Sequence, residues 1–171
     1  MYAVGSKIVH PSRGAGTIID IQQKRIGDIT RTYYVIDTVG KSMRLMVPVK
    51  LAEDGRLRPV GKEAGLRKVL AARYVVPAEG EIPQDYRARK KVMSAKLKTG
   101  RFEEVAFAVN ALFLLSCRRR LGMTDRQMLD GGKDFLAGEL ALASNSELSE
   151  ALAEIEESLA QMLPGQLENK E

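Results

Sequence analysis

The chain has 171 residues, enough for one domain or two small ones, and its hydrophobic fraction of 44% is ordinary for a packed globular protein. The net charge of +5 favours an anionic partner without identifying it. A single cysteine (Cys117) and a single histidine (His10) exclude an internal disulfide and a structural zinc site, which needs about four such ligands.

The longest apolar run, residues 111–115, is far shorter than the roughly 20 residues that cross a bilayer. The first seven residues lack the pattern of a secretion signal. We therefore expect a cytoplasmic protein without membrane contact, and a lone thiol suits a reducing compartment. Cys117 is expected to be a small buried hydrophobe on a helix.

The first sixty residues have the pattern of short strands. Gly27 marks a hairpin turn at residues 25–28, and Gly40-Lys41 marks the next turn. Close strands joined by short turns predict a small antiparallel barrel or a strongly bent sheet. A unit this small should also pack against the next segment. The predicted strands are residues 7–9, 17–21, 30–38 and 43–47.

Beyond residue 61 the hydrophobic period becomes helical. A first helix near Leu66 and Val69 precedes a proline-rich linker at residues 75–83, and Pro164-Gly165 closes the last helix. Gly100 is placed as a helix C-cap, and the spacing of Thr124 and Gln127 predicts a capping box. The four predicted helices after the linker are residues 85–98, 102–121, 124–143 and 148–159.

Gly131-Gly132 lies inside the third of these four helices, where each glycine costs about 0.5–1 kcal/mol against alanine. Either another helix backbone approaches closely there or the helix is locally weak.

Basic residues concentrate in the segment 85–101 and around the turn at Gly122, whereas the last helix is acidic. The cations form either a solvated helix face or a surface that contacts phosphates. Tyr86, at the tip of the basic segment, is either an ordinary half-buried tyrosine or an aromatic wedge for a widened minor groove.

Catalytic motifs are not visible in the sequence. One histidine and one cysteine far apart cannot form a catalytic pair, and the loop Gly14-Ala15-Gly16 lacks the pattern of a phosphate or dinucleotide site. We expect no enzyme activity, no catalytic residue, no metal and no cofactor.

Several segments, taken in order, resemble the CarD/CdnL family of bacterial transcription regulators. VGSKIVHPSRGAGTI (4–18) is similar to the start of its β domain, and YYVIDT followed by SMRLMVP (33–48) to its later strands. DYRARKKVMSAKLKTG (85–100), VNALFLLSCRRRLGMTDRQML (109–129) and LAGELALA (136–143) are similar to its helical domain.

The resemblance implies an α+β chain: a Tudor-like antiparallel β-barrel domain, followed by an all-α bundle. The β domain would bind the β subunit of bacterial RNA polymerase. The helical domain would contact promoter DNA in the minor groove at the upstream edge of the bubble, without base specificity, and stabilise the open complex. We expect a monomer. The implied division is a β domain at residues 1–60, a helix and linker at 61–83, a helical DNA-binding domain at 84–165 and a tail at 166–171.

The resemblance also implies site residues. Tyr86 stands where the family has a tryptophan wedge, and Ala88 replaces a residue that is often arginine. The predicted polymerase-binding residues are Lys24, Arg44, Leu45, Met46 and Pro48. The predicted DNA-binding residues are Tyr86, Arg87, Arg89, Lys90, Lys91 and Arg126.

The departures at Tyr86 and Ala88 keep a second hypothesis open, a polymerase-binding module whose helical half contacts another protein instead of DNA. A third hypothesis is a stand-alone, non-specific DNA-binding protein. The modest net charge and the acidic last helix argue against it.

Overall fold

The computed structural model describes residues 1–72, 77–78 and 80–162. Part of the predicted linker and the predicted end of the last helix at Pro164-Gly165 lie outside these residues. The strands are β1 (Lys7–His10), β2 (Gly14–Ile26), β3 (Ile29–Thr38), β4 (Arg44–Pro48) and β5 (Arg58–Pro59). The helices are α1 (Val49–Leu51), α2 (Glu63–Ala71), α3 (Tyr86–Lys98), α4 (Phe102–Arg118), α5 (Met123–Ser144) and α6 (Leu148–Ala160). No helix in the described part of the chain is long and apolar enough to span a membrane.

The strands form one antiparallel sheet of five strands in the order β4-β3-β2-β1-β5. Its inner face buries Ile18, Tyr34, Ile36 and Val47, which is the alternation expected of a half-buried sheet. The predicted combination of a β domain followed by a helical domain is confirmed. The sheet itself is not closed, because β4 and β5 are its two edges among the described strands.

Strand β2 is much longer than the predicted segment 17–21 because it continues beyond the small core as a two-stranded hairpin with β3. The pairing runs to Ile26 opposite Ile29, around the predicted turn at Gly27. The extension is exposed and mostly polar, so its sequence lacks the apolar alternation that marks a buried strand.

The helical core is built around α4, a helix of 17 residues that buries ten of them between Phe102 and Leu115. Helices α2, α3, α5 and α6 pack on this central helix or on each other. Burial on so many sides is typical of a helix that other elements surround. Gly100 follows α3 at a φ of 66°, as the predicted C-cap requires.

The β domain is fixed to the helical core by the Glu139 side chain of α5, which has no exposed area. Its two carboxylate oxygens accept hydrogen bonds from Arg58 of β5, at 2.6 and 2.7 Å. The Gly61 N–H also donates to Glu139, at 3.0 Å, and Arg58 donates to the Gly100 carbonyl after α3. The Glu139 carboxylate thus joins β5 to the segment before α2, and the Arg58 that it holds binds the end of α3.

Small residues allow the two halves to approach closely. A methyl group built on Gly100 would lie 2.6 Å from Pro11 Cα, and one built on Gly138 of α5 would contact Ala15 of β2. Lys7 of β1 donates to the Leu142 carbonyl near the end of α5, at 2.8 Å. These contacts agree with the expectation that the small β domain packs against the helical segment.

Two local predictions are wrong. Cys117 is exposed, because the buried stretch of α4 ends at Leu115 and the last helical turn is solvated. The capping box at Thr124 is wrong because α5 begins earlier, after the N-cap Gly122. The Thr124 hydroxyl instead accepts a hydrogen bond from Tyr86.

The two adjacent glycines in the middle of α5, Gly131 and Gly132, differ in their surroundings. A methyl group on Gly132 would lie 2.5 Å from Val109 Cγ2 in the core, so close helix packing accounts for this glycine. A methyl group on Gly131 would have no atom within 4 Å. The helix is continuous through both residues.

We therefore expect opposite effects from Gly131→Ala and Gly132→Ala on the free energy of unfolding, measured by urea denaturation. Gly131→Ala should stabilise the protein by about 0.5–1 kcal/mol, because only the helix propensity changes. Gly132→Ala should destabilise it by about 1–3 kcal/mol, because Val109 is fully buried and cannot move aside. Equal effects would contradict this packing.

Glu139→Gln should lower the free energy of unfolding by about 3 kcal/mol, since it leaves the Arg58 charge without its buried partner. Hydrogen exchange of the Gly61 amide should accelerate at the same time, because that amide loses a charged acceptor. Glu156→Gln, an exposed change on α6, is the matched control. An unchanged exchange rate at Gly61 in the Glu139 variant would contradict the predicted role.

Candidate nucleic-acid interface and exposed sheet edge

Tyr86 is the first residue of α3 and lies where the first turns of α3 and α5 meet. Asp85 caps the helix, since its carboxylate accepts from the Ala88 N–H at 2.9 Å. The Tyr86 hydroxyl donates to Thr124 Oγ1 at 3.1 Å, and 46% of the residue is exposed. The ring is therefore held at one end and open to solvent along much of its surface.

The two helices that meet at this tyrosine both carry exposed basic side chains in their first turns. We call the set the basic face: the exposed residues Tyr86, Arg87, Lys90 and Lys91 of α3 and Arg126 of α5. None of its cations forms an ion pair within the described part of the chain. The amino-terminal ends of α3 and α5 add their positive dipole ends. The arrangement can bind a run of phosphates.

Arg89, predicted in the same group, lies beneath the basic face. It is 2% exposed and pairs with the equally buried Asp125 of α5, with Nη2 at 2.9 Å from Oδ2. Its Nη1 donates to the carbonyls of Pro83 and Gln84, each at 3.1 Å. Arg89 thus joins the chain before α3 to the start of α5, and the geometry gives it a structural position instead of a surface one.

The predicted polymerase-binding residues divide between the two faces of the sheet. Paired residues share a face, and the register Val35↔Met46, Asp37↔Arg44 and Lys24↔Arg31 places Lys24, Arg44, Met46 and Pro48 on the outer side. Leu45 points inward and packs against the core of the β domain. Four of these five predicted residues are therefore brought to one surface.

Strand β4 is also an edge of the sheet. The Thr38 N–H donates to the Met43 carbonyl, so Thr38 and Met43 form a hydrogen-bonded pair of the antiparallel ladder. Hydrogen-bonded and non-hydrogen-bonded pairs alternate along such a ladder, so the backbone N–H and C=O groups of Arg44 and Met46 point toward the free side. Such a strand can pair with an added strand from another chain.

Sequence reasoning did not single out two features of these surfaces. Asp125, the partner of Arg89, has the sequence appearance of an ordinary acidic residue in a first helical turn. Ile26 and Ile29 flank the hairpin turn and are 63% and 56% exposed, which is unusual for two adjacent large apolar residues. The strand propensity of isoleucine does not by itself distinguish a buried position from an exposed one.

The fold joins an antiparallel β domain with a free edge strand to a helical domain with a basic face. The model of the CarD-like/TRCF RID domain matches residues 2–61, and that of the CarD C-terminal domain matches residues 72–156. A Bacillus subtilis (strain 168) protein named "Putative transcription factor YdeB" is 29% identical over 140 residues, covering 82% of this chain and 90% of that protein.

These matches define a transcription factor of the class that interacts with RNA polymerase. The chain belongs to the CarD/CdnL family. Members of this family are transcription regulators rather than enzymes.

Asp125→Asn should lower the free energy of unfolding by about 3–5 kcal/mol, because it leaves the buried Arg89 guanidinium without a counter-charge. Asp130→Asn, an exposed change on the same helix, should have almost no effect. Thermal unfolding followed by circular dichroism measures both. If the two variants unfold alike, the buried pair does not hold α3 against α5.

Proposed function

We propose that this protein bridges the β subunit of RNA polymerase and promoter DNA and stabilises the open complex. One observation carries the proposal: an exposed aromatic ring, tied to Thr124, lies where two helices meet that together carry four exposed cations without an ion-pair partner among the described residues. The family match supports the polymerase partner.

The basic face suits contact with DNA without base recognition. Long Lys and Arg side chains reach phosphates of any sequence and release counterions, whereas an aromatic ring can enter a widened minor groove at an unstacked step. Tyr86 has that exposure, and both α3 and α5, whose first turns meet at Tyr86, carry exposed cations. The upstream edge of the transcription bubble offers both the phosphates and a widened minor groove at an unstacked step.

The polymerase anchor in this proposal is the outer face and free edge of the sheet. A strand of the β subunit would pair with β4, while Lys24, Arg44 and Met46 supply the specificity of the contact. The apolar tip at Ile26 and Ile29 extends the same surface. Leu45 supports the strand from inside, and its substitution would act through the core.

Bridging explains how a weak DNA surface becomes effective. Binding to polymerase raises the local concentration of the basic face near the promoter, so little intrinsic DNA affinity is needed. The open state is stabilised only if the basic face fits melted DNA better than closed duplex, because only a difference in affinity shifts an equilibrium. The protein acts as a monomer in the cytoplasm in this proposal.

Tyr86→Ala should shorten the lifetime of open complexes after a competitor challenge. The loss of one aromatic contact corresponds to about 1–2 kcal/mol, or roughly five- to thirtyfold in lifetime. Tyr86→Phe is the matched control, since it keeps the ring and loses only the hydroxyl bond to Thr124. If Tyr86→Ala stabilises open complexes as well as the parent protein, the wedge proposal is wrong.

The double variant Lys24→Glu with Met46→Glu should lose binding to polymerase and, with it, the extension of the open-complex lifetime. Both residues lie on the outer face and are exposed, so the fold should persist. Lys68→Glu on α2 is the control for charge reversal.

Other outcomes of that experiment separate the alternatives. If the parent protein binds polymerase but leaves the lifetime of the open complex unchanged, the protein is a polymerase-binding module that lacks DNA contact. Tight duplex binding without polymerase, with a steep dependence on salt, would indicate a stand-alone DNA-binding protein. Either result would contradict the bridging proposal.

A further inference from the structure

A cavity of about 390 Å³ lies at the junction of the two domains. The turn between β1 and β2, the turn between β3 and β4, the end of α3 and the middle of α5 all contribute to its wall. Its size falls within the range of roughly 300–1,000 Å³ that is typical of small-molecule sites. It lies outside the surfaces assigned above to polymerase and DNA.

The interior of this junction cavity is mainly apolar. Leu97 of α3, Val105 of α4 and Met128 and Phe135 of α5 supply side chains, and Ala15 closes the side of the sheet. Groups from both domains thus form one apolar surface that a ligand would contact simultaneously. An apolar body of modest size would be removed from water there.

Gly131 gives a second reason to regard the cavity as a site. Packing explains Gly132, but a methyl group at position 131 would meet no atom of another part of the protein within 4 Å, and Gly131 lines the cavity. A glycine in the middle of a helix costs stability, so its presence needs another cause. Its small size keeps the cavity open and leaves the helix backbone accessible.

The rim of the cavity is positively charged. Arg13, Lys41 and Lys98 line it and are exposed, and the lining residues that the structure describes include one carboxylate, that of Asp134. None of the three cations forms an ion pair within the described residues.

We infer that the junction cavity binds a small organic anion with an apolar body, its acidic group at the rim beside Arg13, Lys41 and Lys98 and its apolar part against Phe135 and Met128. The apolar interior and cationic rim are complementary to that chemistry and to neither a cation nor a fully polar metabolite. Because such a ligand would touch both domains, its binding would also stabilise the folded protein.

The probe for the test is anilinonaphthalene sulfonate, whose fluorescence rises in apolar sites. We expect saturable binding at one site on the full chain. Gly131→Met should weaken binding by at least about tenfold, because the new side chain fills the cavity. Gly131→Ala should bind nearly as well as the parent protein, and thermal unfolding checks that both variants fold.

The rim is tested separately, so that the outcome does not depend on one variant. Changing Arg13, Lys41 and Lys98 together to Gln should weaken probe binding about three- to tenfold, whereas Lys68→Gln should leave it unchanged. Decanoate or naphthoate should displace the probe and raise the midpoint of thermal unfolding, and neutral decanol should not. Which of the two acids displaces better distinguishes a chain-like from a ring-like natural ligand.

Two results would overturn the inference. Equal probe binding by Gly131→Met and the parent protein would place the probe elsewhere. Equal displacement by decanol and decanoate would show that the rim does not recognise an anion.

Discussion

The arrangement of the two domains depends on a carboxylate that is wholly removed from water. Burying a charge is costly unless partners replace the lost hydration, and Glu139 receives them from Arg58 and Gly61. These donors belong to segments some eighty residues away in sequence. Since the Arg58 guanidinium also binds the Gly100 carbonyl, the position of α3 relative to the sheet follows from the same contact.

The basic face has an analogous foundation. Arg89 and Asp125 lie directly under it, and their pairing aligns the first turns of the two helices that carry Tyr86 and Arg126. A buried pair of this kind adds little net stability, but it penalises any arrangement that separates its members. The two pairs therefore specify geometry: one orients the domains, and the other orients the surface charges.

Much of this fold could be predicted from the sequence, because apolar periodicity records burial directly. The strands around Ile8, Ile18 and Ile36 and the helix through Val105 and Leu112 follow that rule. The outer hairpin could not be predicted, because exposed strands lack the alternation of apolar residues that marks a buried strand. The burial of Arg89 could not be predicted either, because a charge pattern does not distinguish a surface arginine from one whose partner lies thirty-six positions away. The family resemblance located the predicted polymerase and DNA residues, but only the register shows that Leu45 turns away from its neighbours.

The exposed thiol of Cys117 has a practical consequence. It is the only cysteine in the chain and lies in the last turn of α4, next to three consecutive arginines. A maleimide dye would therefore modify the unaltered protein at a single known position. Energy transfer from that dye to a second dye on upstream DNA would follow the helical domain through promoter melting, without introducing or removing any residue.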